Sequence, residues 1–141
     1  MSALQNRMIL GSGILLAAAV GLGAFGAHAL KGRIDEADIL IYKTANHYHF
    51  IHALGILILA SFVKKVHSQP LKWGALFLFA GIVLFSGSLY ALALSKAIIG
   101  ERLDFLGMVP PFGGLAFIIG WLIPALSVRK KLNSNYKPDQ T

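Results

Sequence analysis

The sequence predicts an all-α integral membrane protein, an antiparallel four-helix bundle with both termini on the same side of the membrane. Hydrophobic residues make up 56% of the 141-residue chain and charged residues only 13%, which excludes an ordinary soluble globule. The apolar residues fall into four blocks, each close to the roughly 20 residues that span about 30 Å of hydrocarbon. The connections between the blocks are too short to form a domain outside the membrane.

The four blocks are predicted to be helices, because unpaired backbone amides are costly in lipid. Strands of a membrane β-barrel alternate between apolar and polar residues, whereas these blocks are continuously apolar. The predicted helices cover residues 8–30, 36–64, 71–96 and 111–129 of a single domain, residues 1–132. Residues 133–141 are polar and are predicted to form a disordered tail.

The first predicted helix is rich in small residues at a spacing of four. Such residues allow helix backbones to approach closely in lipid, where hydrophobicity cannot drive helix association. The two small-residue ladders are Gly13, Ala17 and Gly21, and Ala19, Gly23 and Ala27. They predict that helix 1 is the central packing element. Its apolar stretch is longer than the about 7–15 residues of a signal-peptide core, so we expect a retained span.

The second predicted helix follows a loop in which Gly32 is suited to end helix 1 and Asp35 to cap helix 2. Over residues 36–64 it would be about 40 Å long at 1.5 Å per residue, which is longer than the hydrocarbon. We therefore expect its first part to tilt or to lie in the membrane interface.

The fourth predicted helix follows Pro110 and Pro111, after the apolar third helix and its loop. Proline lacks an amide donor and disfavours helix in the residue before it. We therefore expect an extended or turn segment at the membrane edge before this helix. Gly113 and Gly114 would permit close approach there.

The distribution of charge predicts the orientation. With four spans, eight lysines and arginines lie on the side of the termini and five on the other side, together with five of the six acidic residues. The positive-inside rule then makes both termini cytoplasmic, and we expect a bacterial inner membrane. The net charge of +7 is accounted for in this way without a nucleic-acid partner. The absence of cysteine excludes disulfides, a thiol nucleophile and thiolate metal ligands.

Polar residues gather in the half of the bundle opposite the termini. Ionisable residues inside a membrane are costly and usually face the bundle interior, so this cluster is the candidate site. Its members are His28, Asn46, His49, His52, Ser86, Ser88, Tyr90 and the diproline-diglycine segment. On helix 2, Asn46, His49 and His52 follow one another at a spacing of three and share a helix face.

Three roles are open for the histidines: hydrogen bonding between helices, handling of a proton or ligand, and metal binding. The spacing of His28, His49 and His52 does not by itself predict a metal site, since every acidic residue on this side is predicted to lie in a loop. Ser86 and Ser88 are expected to bond to helix carbonyls rather than to act as nucleophiles. We expect neither a catalytic residue nor a cofactor.

Four motifs occur in order along the chain: Gly23 to Leu30, Tyr48 to Leu54, Phe85 to Tyr90, and Pro110 to Gly114 with Gly120 and Trp121. Over residues 8–128 the chain resembles the YgdD/YwdK-like family of small four-span membrane proteins. The resemblance implies the four-span fold and supplies no substrate. Its motif positions in this chain are His28, His52, Ser86, Ser88, Tyr90, Pro111, Gly113 and Gly114. Pro110 stands where such relatives usually have threonine, which leaves no hydroxyl at that position.

These features favour a noncatalytic membrane component that acts in structure or assembly, or as an accessory subunit of a membrane complex. Short loops, small-residue faces and the lack of a complete catalytic set support this prediction. One alternative is a small oligomeric transporter, or a proton- or ligand-handling protein, that uses the histidines. A second is a metal-dependent membrane enzyme. The expected partners are the lipid bilayer and either further copies of the chain or a larger membrane-protein complex.

Overall fold

The computed structural model describes residues 2–64 and 68–135, with side chains up to residue 127 in the last helix. This described part is all-helical apart from turns, as the sequence predicts. Its elements are α1 (Ala3–His28), α2 (Glu36–Phe62), α3 (Ser68–Gly81), a π-helical segment (Ile82–Gly87), α4 (Ser88–Ile99), a 3-10 helix (Asp104–Met108) and α5 (Pro110–Asn135). Of the predicted tail, residues 133–135 belong to α5 and residues 136–141 lie outside the described residues.

The elements form four long helical segments, because α3, the π-helical segment and α4 follow one another without a break. By length and composition, three stretches are able to cross a membrane: Ala3–His28, Ser68–Ile99 and Asp104–Ser127. The 27-residue α2 lies between α1 and the α3–α4 span and runs antiparallel to both. We call the end of the bundle with the α1–α2 and α4–α5 connections the loop end. The opposite end, where α1 begins, is the terminal end.

The helices begin and end at residues with recognisable caps. The Ser2 hydroxyl accepts a hydrogen bond from the Gln5 amide at 3.2 Å, and α1 accordingly begins at Ala3, before the predicted start. Gly100 ends α4 with a φ of 81°, a left-handed conformation that glycine adopts without penalty. Asp35 precedes α2 but makes no capping hydrogen bond, and its carboxylate pairs with Lys96 at 3.1 Å instead.

Pro110 and Pro111 lie in the first turn of α5, so the expectation of an extended or turn segment at this pair was wrong. Proline is tolerated there because the first amides of a helix have no intrahelical acceptor. The irregular backbone lies earlier, in residues 100–103, and the 3-10 helix joins it to α5.

The central helix of the bundle is α2 rather than α1, contrary to the expectation from the small-residue ladders. It packs against α1 on one side and against the α3–α4 span on the other. Only one ladder of α1 faces it, since Ala19 is buried and Gly23 lies against Asn46. The other ladder, Gly13, Ala17 and Gly21, is exposed. A Cβ atom added to Gly13 or Gly21 would meet nothing within 4 Å.

The closest backbone packing joins α5 to α3 and the π-helical segment. A Cβ atom at Gly113 would overlap the backbone nitrogen of Phe85. One at Gly74 would lie 2.9 Å from the carbonyl oxygen of Gly120. These positions require glycine because backbone, rather than a movable side chain, fills the space. The π-helical segment is thereby held directly against the start of α5.

Candidate functional site

A stripe of polar side chains runs along α2 from the loop end toward the middle of the bundle. Its members are three or four residues apart and therefore share one helix face. This α2 polar stripe consists of Asp38, Tyr42, Asn46, His49 and His52. Asn46 is half-buried and the other four are buried. Beyond His52 the same face is apolar, so the stripe ends inside the bundle.

The stripe begins with an ion pair that sequence reasoning missed. Asp38 is only 2% exposed, and its carboxylate accepts a hydrogen bond from the Arg102 guanidinium in the α4–α5 connection. The Arg102 side chain also donates to Asp104 at 2.8 Å. These bonds, that to Asp38 foremost, raise the pKa of Arg102 above its ordinary value. The expectation that all acidic residues on this side lie in loops was therefore wrong for Glu36, which begins α2, and for Asp38. Its spacing of four before Tyr42 was the signal that it belongs to the stripe.

The middle of the stripe joins three helices by hydrogen bonds. The Tyr42 hydroxyl donates to the carbonyl oxygen of Leu22 in α1 at 2.8 Å. The Asn46 amide donates to the carbonyl oxygen of Ala19 in α1 at 2.7 Å and to the hydroxyl of Tyr90 in α4 at 3.0 Å. The rings of Tyr42 and Tyr90 meet edge to face, with centroids 4.8 Å apart.

Two buried polar groups of the site have no hydrogen-bond partner in the described part of the chain. Neither ring nitrogen of His49 has one, although the ring lies beside the backbone of Leu15. The Ser86 hydroxyl also has none, so the expectation that it bonds to a helix carbonyl was wrong, and Ser86 is 1% exposed. Leaving a buried polar group unpaired costs about 1–3 kcal/mol. His49 and Ser86 are therefore the positions of the site most suited to binding a water molecule or a ligand.

The position of Ser86 strengthens this interpretation. It lies in the π-helical segment, and such segments occur frequently at functional sites. Tyr90 follows one turn later on the same helix face, and its ring centroid is 6.2 Å from that of His49. Tyr90 therefore lies one turn from Ser86 and beside the ring of His49.

His52 has different neighbours from His49, although both are buried on α2. Its Nδ1 lies 2.7 Å from the carbonyl oxygen of Tyr48. Because a carbonyl oxygen only accepts, this nitrogen carries the proton. The His52 ring stacks on Phe117 of α5, with 3.5 Å between centroids and 11° between the planes. His52 therefore contributes to helix packing, whereas His49 points toward α1 and Tyr90.

Two further serines hold backbone in place at this end of the bundle. Ser88 donates to the carbonyl oxygens of Leu84 at 2.5 Å and Phe85 at 3.0 Å, as the sequence predicts for a membrane serine. Both bonds lie where the π-helical segment ends and α4 begins. Ser95 donates to Leu92 and accepts from the Leu103 amide at 3.1 Å, which fixes the connection that carries Arg102.

The structure does not bring the remaining predicted residues into the stripe. His28 is exposed in the last turn of α1 and makes no hydrogen bond or ring contact with another described residue. Pro111 is exposed, Gly113 packs on Phe85, and a Cβ atom at Gly114 would meet nothing within 4 Å. Within residues 2–64 and 68–135, no group of three His, Asp or Glu side chains is placed to hold a metal ion.

Comparison with known proteins identifies the family. A family model described as "Protein of unknown function (DUF423)" matches residues 22–114, which include the whole α2 polar stripe, Ser86 and Arg102. The chain belongs to this family. The resemblance carried by the four motifs is therefore confirmed, and the protein is an integral membrane protein.

Individual relatives cover most of the chain. The UPF0382 membrane protein YwdK of Bacillus subtilis is 41% identical over 115 residues, which are 81% of this chain and 89% of YwdK. A UPF0382 membrane protein of Staphylococcus epidermidis is 42% identical over 112 residues, 79% of this chain and 86% of the relative. The UPF0382 inner membrane protein YgdD of Escherichia coli is 39% identical over 115 residues, 79% of this chain and 83% of YgdD. No solved structure gives a significant match.

Proposed function

We propose that this DUF423 protein is a noncatalytic structural, assembly or accessory component of a membrane complex in a bacterial inner membrane. The position of α1 is the observation that carries the proposal. It packs mainly against α2, and its opposite face presents Gly13, Ala17 and Gly21 with open space beside both glycines. Membrane helices bring their backbones together through small-residue faces of this kind. This face therefore suits a helix of a partner.

The hydrogen bonding of the site supports a noncatalytic role. Tyr42 and Asn46 lie at the centre of the α2 polar stripe. Both donate hydrogen bonds to groups on neighbouring helices. The metal-dependent enzyme gains no support, because the described residues hold no cluster of metal-ligating side chains.

The orientation that we propose has both termini in the cytoplasm. The excess of lysine and arginine on the side of the termini supports it through the positive-inside rule. The relative YgdD is described as an inner membrane protein, which supports the same compartment for this chain.

The test compares two alanines that are both exposed on spans, Ala17 on α1 and Ala91 on α4. The protein is purified in mild detergent from the native membrane, and its particle mass is compared with the 15.2 kDa of one chain. We expect a larger particle for the wild type and for Ala91→Leu, and its loss in Ala17→Leu. A wild-type particle of one chain under every growth condition, or an Ala17→Leu particle of unchanged mass, would refute the accessory role.

A second candidate function is the handling of a proton or a small polar ligand. The unpaired buried groups of His49 and Ser86 favour it, because intramembrane ionisable residues commonly mark such pathways. Proteoliposomes with a trapped pH-sensitive dye test it under an imposed pH gradient. This function predicts a proton flux that His49→Ala abolishes and that Thr44→Ala, an exposed change on the same helix, leaves intact. A flux that is unaffected by His49→Ala argues against it.

A further inference from the structure

An apolar groove follows the lipid-facing seam between α1 and α3, toward the terminal end of the bundle. Its volume is about 400 Å³, which lies within the range of about 300–1,000 Å³ typical of ligand pockets. Its walls include Met8, Gly11, Leu15, Ala75 and Phe79. No residue of the α2 polar stripe lines it. The groove is therefore separate from the candidate site.

Two basic residues, Arg7 and Lys72, line the same groove. Each lies four residues after the start of its helix, at Ala3 for α1 and at Ser68 for α3, so the two cations have a similar depth. Neither forms an ion pair with another side chain in the described part of the protein. Long basic side chains at helix ends lay their apolar stems along the helix and extend their charges to the membrane surface.

The length of the groove corresponds to one leaflet of a bilayer. Along α1 it extends from Leu4 to Leu15, which is about 16 Å at 1.5 Å per residue. Half of a hydrocarbon core of about 30 Å has nearly the same depth. An apolar wall of this length with two unpaired cations toward one end matches a molecule that has an acyl chain and an anionic headgroup.

We propose that the groove between α1 and α3 binds an anionic phospholipid of the leaflet at the terminal end. One acyl chain lies along Gly11, where a Cβ atom would meet nothing within 4 Å, and the phosphate lies between Arg7 and Lys72. The apolar wall alone does not select this lipid, because bulk acyl chains are equally apolar. The selection comes from the two cations, as in other basic pockets between membrane helices.

The experiment measures binding of phosphatidylglycerol and phosphatidylcholine to the full chain in detergent by native mass spectrometry. We expect one phosphatidylglycerol per chain, bound roughly tenfold more tightly than phosphatidylcholine. The double variant Arg7→Gln/Lys72→Gln should lose this preference. Lys64→Gln, which removes an exposed charge at the same end but outside the groove, should retain it. Gly11→Leu fills the groove, keeps both cations and should also weaken binding.

Several outcomes would overturn the proposal. One is equal binding of the two lipids to the wild type, and another is an unchanged preference in the Arg7→Gln/Lys72→Gln variant. Displacement of phosphatidylglycerol by an equal concentration of inorganic phosphate would assign the two cations to a free anion. A change of oligomeric state in Gly11→Leu without a change in lipid binding would assign the groove to a second copy of the chain.

Discussion

Asn46 in α2 donates a hydrogen bond to the hydroxyl of Tyr90 in α4 at 3.0 Å, and the same amide nitrogen lies 2.7 Å from the carbonyl oxygen of Ala19 in α1. One side chain thus connects three helices of the bundle. Lipid offers no competing hydrogen-bond partner at this position, so the connection should be directly measurable as stability.

The first prediction concerns this connection. Asn46→Ala removes two interhelical hydrogen bonds, each worth about 0.6–1.7 kcal/mol in a membrane protein. We expect the free energy of unfolding to fall by about 1–3 kcal/mol, measured by titration with sodium dodecyl sulfate in mixed micelles. Thr44→Ala is the control, because the exposed Thr44 hydroxyl donates only to Leu40 in its own helix. Equal losses in the two variants would contradict the role of Asn46.

The second prediction compares two adjacent glycines in the first turns of α5. A Cβ atom at Gly113 overlaps the backbone of Phe85, whereas one at Gly114 meets nothing within 4 Å. Gly113→Ala should lower the free energy of unfolding by about 1–3 kcal/mol through overpacking. Gly114→Ala should leave it unchanged or raise it by up to about 1 kcal/mol, since alanine favours helix. Similar thermal midpoints for the two variants would disprove the close approach at Gly113.

The third prediction concerns the ion pair at the loop end. Arg102→Gln leaves the buried Asp38 carboxylate without its partner, so the thermal midpoint should fall. The double variant Asp38→Asn/Arg102→Gln removes the buried charge as well and should recover part of the loss. Lys96→Gln is the control, because the Lys96–Asp35 pair is exposed and such pairs contribute little. If Lys96→Gln lowers the thermal midpoint as much as Arg102→Gln does, the burial of Asp38 does not explain the fall in stability.

The pH dependence of this pair follows from the raised pKa of Arg102. A cation whose pKa is raised by folding contributes stability below its ordinary pKa and loses it only as the pH rises through the raised value. The stability difference between wild type and Arg102→Gln should therefore be constant from neutral to mildly alkaline pH. Thermal denaturation over that range measures it, and a difference that shrinks with rising pH would contradict the prediction.

The fourth prediction separates the two buried histidines. His49→Leu removes two ring nitrogens that have no hydrogen-bond partner among the described residues, so stability should be unchanged or higher. His52→Leu loses the bond to Tyr48 and the stacking on Phe117, and should cost about 1–3 kcal/mol. Unfolding titrations of the two variants test this. An equal loss in His49→Leu would mean that His49 also has a structural partner.

The sequence by itself determined the helical class, the number of long helical segments and the main candidate face. A bilayer constrains a chain mainly through the length and polarity of its apolar blocks, and both can be read along the sequence. The helical period likewise places Asn46, His49 and His52 on one face. The same period, continued two turns earlier, includes Asp38, which was missed because an acidic residue near a helix start is ordinarily solvated.

Only the tertiary structure decided which neighbours those faces have. The spacing of His49 and His52 predicts that they share one face of α2, but their rings contact different helices. A position on α2 does not specify which helix packs against it. The two ladders of α1 have the same pattern, yet one packs on α2 and the other is exposed. Helix periodicity specifies the direction of a side chain within its own helix, whereas its partners depend on how whole helices pack. That packing follows from close backbone contacts such as Gly113 on Phe85, which no local pattern encodes.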